Sequence, residues 1–276
     1  MDSTLAALIQ DIADFVEHDD RNAMAAHGGM KMYDAPLVGV AAADDDWFAQ
    51  FTEPSIVGPC HISPHGWLPE ARSVVCWFLP FTKDVRDTNR APGLPSEEWA
   101  TARINGEAFN NALRTFVTDW LKSRGGMALA PVQSSGFSVA SRISNWSERH
   151  VAFAAGLGTF GLHRALITQK GTAGRLGSVI TSMELEPTPR PYTLFDEYCP
   201  FLTQKRRGIA ADEKHKCGAC IRRCPPGAIL ACGKDHSVCS DYIDTEVLPL
   251  FAPRYGCAKC NISVPCESRI PNARLF

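Results

Sequence analysis

The chain has 276 residues, 45% of them hydrophobic and 21% charged, with a formal net charge of -2. That length can bury a sizeable core, as one large domain or a larger one with a small appendage, and the composition is that of an ordinary globular protein. The near-neutral balance argues against the basic footprint of a nucleic-acid binder, and there is no run of about eighteen apolar residues to cross a membrane.

The first twenty residues, "MDSTLAALIQDIADFVEHDD", carry acids where a secretory leader carries bases, and space Leu5, Leu8, Ile9, Ile12, Phe15 and Val16 along one helical face. We read them as an amphipathic helix of a cytoplasmic protein. "ARSVVCWFLPF" (71–81) predicts a buried strand, with Cys76 as a small apolar core residue. Ser96 before Glu97 and Glu98 is a helix N-cap. The helix it opens carries Phe109, Leu113, Phe116, Val117, Trp120 and Leu121 on one face and stops at Gly125-Gly126. A short strand at "MALAPVQ", a helix around "SERHVAFAAG" and strands at "RALIT" and "RLGSVITSMEL" follow. This succession predicts an α+β fold whose layered α/β domain occupies residues 1–190. The Pro-rich stretch "LEPTPRPYTLFDEYCP" (185–200) marks the boundary to a cysteine-rich remainder, residues 191–276, in which the basic run "QKRRG" reads as a solvated loop.

Eleven cysteines in a cytoplasmic chain argue for metal or redox chemistry, because thiols stay reduced there and disulfides are rare. Only Cys60 and Cys76 precede residue 199. The others are grouped: Cys199 in "YCPF", Cys217, Cys220 and Cys224 in "DEKHKCGACIRRCPPGAI", Cys232 and Cys239 in "CGKDHSVCSDY", and Cys257, Cys260 and Cys266 in "YGCAKCNISVPCESRIP". A bacterial ferredoxin run reads C-x2-C-x2-C-x3-C-P. Here its last three cysteine places and its proline are filled, while Lys214 holds the place of the first. The C-x2-C pairs at 217/220 and 257/260 also suit tetrahedral zinc. The Cys-Pro exit of "CPPGAI", which in two-cluster ferredoxins gives its thiolate to the second cluster, favours iron and sulfur.

Together, "KCGACIRRCPPGAI", "CSDYIDTE" and "YGCAKCNISVPC" resemble the C-terminal part of the epoxyqueuosine reductase family. "HGWLPEARSVVCWFLPF" resembles that family's segment ahead of its first core strand, and "AFAAGLGTFGLHRALIT" its Ala-Gly-Leu-Gly-x-x-Gly stretch. "GLHRALITQKGTAGRLGSVITSMELEP" is similar to the related corrinoid reductive dehalogenases, and the whole resemblance covers residues 60–270. It implies a nitroreductase-like layered domain followed by a ferredoxin-like module with two 4Fe-4S clusters. Residue by residue it puts Cys217, Cys220 and Cys266 on one cluster, and Cys224, Cys239, Cys257 and Cys260 on the other. Cys199 is the leading candidate for the missing ligand, since "YCPF" opens the module and the intervening loop can fold back; Cys232 and His215 are weaker ones. The resemblance also implies a cobalamin on the larger domain, against Gly156, Leu157, Gly158, Phe160 and Gly161 and against Gly177 and Ser178, because glycine lets a backbone approach a flat ring. A tight helix-to-strand turn accounts for the same glycines.

The departure from the family falls where chemistry is expected. In the epoxyqueuosine reductases an aspartate shortly before the Ala-Gly-Leu-Gly stretch is the proposed proton donor, whereas "SGFSVASRISNWSERH" contains none. Its polar groups include Asn145, Glu148 and Arg149, with Arg142 and His150 as the catalytic candidates. His150 is the acid on intrinsic pKa, although Arg149 beside it disfavours its charged form. The expectation is an iron-sulfur oxidoreductase that takes electrons from an unidentified donor and reduces a small-molecule substrate rather than a nucleic acid. The alternative is an electron-transfer or binding module that keeps the clusters but not the active site.

Overall fold

The computed structural model describes residues 3–140, 142–208 and 217–272; Lys214 and His215 lie outside the described residues. The N-terminal helix α1 (Ser3–His18) buries Leu5, Leu8, Ile12 and Val16, with Ile9 and Phe15 half-buried beside them. It is followed by strand β1 (Leu37–Ala42) and a short helix α2 (Asp46–Gln50), whose cap Asp45 accepts the Trp47 N–H. Strand β2 (Ser73–Pro80) is buried along its whole length. The long helix α3 (Glu97–Ser123) starts at Ser96, whose hydroxyl accepts the Trp99 N–H at 3.1 Å. It stops just before Gly125, which takes the left-handed φ of 85° that favours glycine.

Beyond it come strand β3 (Ala128–Leu129), the hairpin β4 (Val139–Ala140) and β5 (Ile143–Ser144), and helix α4 (Glu148–Ala154). A second hairpin pairs β6 (Gly158–Phe160) with β7 (Leu166–Thr168) and leads into strand β8 (Gly174–Thr181). The main sheet has the order β1-β2-β8-β3, and every neighbouring pair is antiparallel. Val75, Trp77 and Leu79 of β2 face α1 and α3, while Val74, Cys76 and Phe78 face α4 and Trp146. With both faces covered, an unbroken apolar run replaces the usual alternation. Strand β1 escapes sequence reasoning because three residues of "LVGVAA" are glycine or alanine, which carry little strand signal. The structure explains one of them: a Cβ at Gly39 would lie 2.3 Å from the Ala155 carbonyl oxygen.

A polar network crosses this core. Trp77 Nε1 donates to Asn110 Oδ1 at 2.8 Å, and Asn110 Nδ2 donates to the Leu176 carbonyl at 2.9 Å. The buried Arg114 guanidinium donates to Glu107 and Asn111 at 2.7 Å each and to Glu148 at 3.2 Å. Ser178 donates to the same Glu148 carboxylate at 2.6 Å and accepts Trp146 Nε1–H at 2.9 Å.

The cysteine-rich segment contributes the short helices α5 (Pro200–Arg206), α6 (Ala219–Arg223) and α7 (His236–Tyr242). It is fastened to the rest of the chain by backbone groups. The Thr172 N–H donates to the Cys266 carbonyl at 2.9 Å, and Asn89 Nδ2 to the Cys257 carbonyl at 3.1 Å. Lys259, 1% exposed, donates to the carbonyls of Asn89 and Ala91 at 3.0 and 2.7 Å. Glu267 pairs with Arg86 and Arg90. Among the described residues no helix is long and apolar enough to cross a membrane.

Candidate functional site

Eight thiols fall into two quartets. Cys199, Cys217, Cys220 and Cys266 line one small cavity, walled by Leu162, Ile167, Phe201 and Val264. Cys199 reaches it because it is the N-cap of α5, whereas Cys217 and Cys220 flank the start of α6. A second cavity is lined by Cys224, Cys239, Cys257 and Cys260. Cys232 is exposed and lines neither.

The thiols influence one another within each group and, through Cys220 and Cys260, between the groups. Burial, and then the neighbouring Cys199, Cys260 and Cys217, push the Cys220 thiol up to about 12; burial, Cys199, Cys220 and Cys217 push Cys266 well above its ordinary value. Burial raises Cys260 to about 12, with Cys257, Cys224 and Cys239 adding to the rise. Thiolates grouped in this way repel one another unless a cationic centre sits among them, which is the chemistry of a metal donor set. Among the described residues no three His, Cys, Asp or Glu side chains converge closely enough for a single metal ion. The thiols stand around a space.

His163 borders both cavities. Its Nδ1 accepts the Ala165 N–H at 3.1 Å, and its Nε2 lies 3.4 Å from Cys266 Sγ. Burial, with smaller effects from Lys234 and Arg149, lowers its pKa to about 3, so the imidazole is neutral. "GLHRALIT" contained this residue without announcing it. The available signal is Gly161, two residues earlier, where a Cβ would lie 2.7 Å from the His163 ring.

On the other side of Arg149 opens a cleft with two lobes. One, of about 480 Å³, is walled by Trp47, Phe51, Phe153, Phe160 and Phe195. The other, of about 590 Å³, runs along the β4–β5 hairpin and α7, past Arg142, Ser147 and Asp241. Arg149, His150 and His236 line both lobes, and Arg149 also lines the cavity of the second quartet. Arg142, at the hairpin turn with φ 64°, pairs with Asp244. His150 Nδ1 is 2.7 Å from Ser147 Oγ, and its ring packs against Phe51 and Phe160. Burial, then Arg149, His61 and Arg164, lower its pKa to about 3. His150 is therefore a neutral hydrogen-bonding group at physiological pH and not the protonated acid that its intrinsic pKa suggests.

The residues expected to face a corrinoid ring divide differently. Phe160 lines the cleft. Gly158 and Gly161 are closed off by the chain itself: a Cβ would lie 2.1 Å from the Ile167 carbonyl oxygen at Gly158 and against His163 at Gly161. Gly156, at φ 77°, turns the chain against Thr188 and Pro189, and Leu157 is buried in the core. Gly177 lies under the Trp77 ring, and the Ser178 hydroxyl is engaged by Glu148 and Trp146. These glycines satisfy packing and turn geometry, and this run offers no open face for a flat ring.

No protein-family model matches the chain, and no curated protein matches it in sequence. Solved structures do match. A selenomethionine-labelled epoxyqueuosine reductase is 17% identical, with a TM-score of 0.50, over 98% of this chain and 70% of that one. An epoxyqueuosine reductase bound to a tRNA-Tyr epoxyqueuosine-modified stem loop is 16% identical, with a TM-score of 0.51, over 98% and 68%. The catabolic reductive dehalogenase NpRdhA, in complex with 3-bromo-4-hydroxybenzoic acid, is 13% identical, with a TM-score of 0.50, over 88% of this chain and 34% of that one. The chain thus has the mixed α and β fold shared by these reductases. It corresponds to about 70% of the length of the first of these reductases and about a third of the dehalogenase's length.

Proposed function

We propose that the chain is an iron-sulfur oxidoreductase, in which residues 191–276 form a ferredoxin-like module that feeds electrons to the cleft beside Arg149. The observation that carries this reading is the gathering of eight cysteines into two cavities of four, one of which shares Arg149 with the cleft. Cys199, Cys217, Cys220 and Cys266 would hold one 4Fe-4S cluster, and Cys224, Cys239, Cys257 and Cys260 the other. Each cluster, when bound, supplies one-electron transfer. Two of them match the electron pair of a two-electron reduction. His163 lies between the quartets and offers its Nε2–H to a thiolate of the first. Arg149 separates the second quartet from the cleft, and the aromatic walls there exclude water from a small substrate. Asp241 is the one carboxylate among the described residues lining the cleft, which makes it the candidate proton source.

Cobalamin is the further cofactor that the resemblance names. The glycine run, closed off by its own chain, does not fit it. The partners on this reading are an electron donor and a small molecule.

A stoichiometric reductive titration of the anaerobically reconstituted protein tests the proposal. Uptake of about two electrons per chain, one per cluster, is the expected result. Protein that takes up no electrons, because zinc occupies the thiols, would overturn it.

A further inference from the structure

Arg149 and Arg164 line the aromatic lobe of the cleft together with His236 and the neutral His150, and among the described residues no carboxylate lines that lobe. Arg149 opens α4 one residue after Glu148, but that carboxylate points the other way, to Arg114 and Ser178. Asp45 near the same region is taken by Arg190, and Asp244 by Arg142. Among the described residues neither Arg149 nor Arg164 has an ion pair, although Arg142, Arg175, Arg190 and Arg206 each have one.

The two guanidinium-bearing residues are instead held next to each other. Arg149 Nη1 donates to the Arg164 carbonyl at 2.6 Å, and Arg164 is held at a left-handed φ of 67° that few residues other than glycine adopt. Burial and the nearby Arg164 both disfavour charge on Arg149, and Lys234, Arg149 and Arg164 add to the effect of burial on His236. Both residues keep an exposed part in the cleft beside Trp47, Phe51, Phe153, Phe160 and Phe195, where an anion between them would offset their mutual repulsion.

We propose that this lobe binds a small, flat, anionic molecule: an aromatic or conjugated ring in the aromatic walls, with its carboxylate or equivalent oxyanion on Arg149 and Arg164. Guanidinium groups suit such an anion because their paired N–H donors match the two oxygens of a carboxylate. The lobe's volume of about 480 Å³ accommodates a one- or two-ring compound. As a statement about the substrate of the reductase this rests on the function proposed above; as a statement about binding it needs no electron transfer.

Equilibrium dialysis of the full-length reconstituted protein with 2-naphthoate, and with the uncharged 2-naphthylmethanol, tests it. The naphthoate should bind at least tenfold more tightly than the alcohol. Arg149→Gln and Arg164→Gln should each weaken naphthoate binding about tenfold or more, and Arg149→Lys should fall between them and the native chain. Equal binding of acid and alcohol, or native affinity in both glutamine variants, would overturn the proposal. Should one variant fail to fold, as judged by circular dichroism, the other variant and the acid-against-alcohol comparison decide. Iron and sulfide are measured on the same samples, so that naphthoate bound by a protein without clusters counts against the reductase reading while the anion site stands.

Discussion

His163 Nε2 stands 3.4 Å from Cys266 Sγ while the same ring's Nδ1 accepts the Ala165 backbone N–H. The second bond fixes the tautomer: with Nδ1 an acceptor, the neutral ring carries its proton on Nε2 and presents it to the sulfur. A donor at a cluster sulfur stabilises the more negative, reduced state and so raises the reduction potential. His163→Leu should lower the potential of one cluster by roughly 30–60 mV, equivalent to about a three- to tenfold change in a one-electron equilibrium. Redox titration followed by electron paramagnetic resonance reads this directly. Two unchanged potentials would remove His163 from the account.

The ligand displaced from the place of Lys214 is tested by a pair of variants. Cys199 lines the first cavity and Cys232 is exposed outside both. Cys199→Ser should lose or degrade one cluster and leave the other, about half the iron, while Cys232→Ser keeps the full complement. The reverse pattern would transfer the ligand role to Cys232.

The fold itself depends on Arg114. Its guanidinium, 2% exposed, is the cationic partner of Glu148, whose carboxyl burial already pushes above the usual range. Arg114→Met leaves that carboxylate unpaired and should cost about 3–5 kcal/mol in a denaturant titration, most of which Glu148→Gln in the same chain restores. A cost below about 1 kcal/mol would show that the pair contributes little.

Acid should destabilise the protein through its buried histidines. Burial lowers His61 from 6.5 to about 4, and burial with Arg149 lowers His150 to about 3. Because the folded values lie below the unfolded one, the unfolded chain binds the protons first. Stability is full above pH 6.5 and is lost as pH falls from there through the folded values. For His61 alone the loss between pH 7 and pH 5 is about 2 kcal/mol. Neither ring nitrogen of His61 has a hydrogen-bond partner among the described residues. His61→Leu should flatten the pH dependence of unfolding at little cost at pH 7. An unaltered pH profile would rule His61 out as its source.

Much of the fold was legible because burial writes a local pattern. The face of α1, the apolar run of β2 and the Ser96 cap of α3 follow from spacing and propensity, and the structure has all three. Strand β1 did not, since Gly39 answers to the distant Ala155 rather than to any local period. In the candidate site, thiol chemistry showed through as spacing; Cys199, Cys217, Cys220 and Cys266 line one cavity and Cys224, Cys239, Cys257 and Cys260 another. The glycine run carried two readings, an approach surface for a flat ring and a tight helix-to-strand turn. Gly158 and Gly161 made room for Ile167 and His163, partners nine and two residues away, and a sequence pattern does not tell a glycine that admits a ligand from one that admits its own chain. The unpaired state of Arg149 and Arg164 was equally out of reach, because it depends on where Glu148 turns its carboxylate.

Iron and acid-labile sulfide analysis of the anaerobically reconstituted native chain asks whether each cysteine quartet holds a 4Fe-4S cluster. About eight irons and about eight sulfides per chain are expected. Stoichiometric zinc without sulfide, or iron that stops at a single cluster's worth in the native chain, would contradict the two-cluster reading.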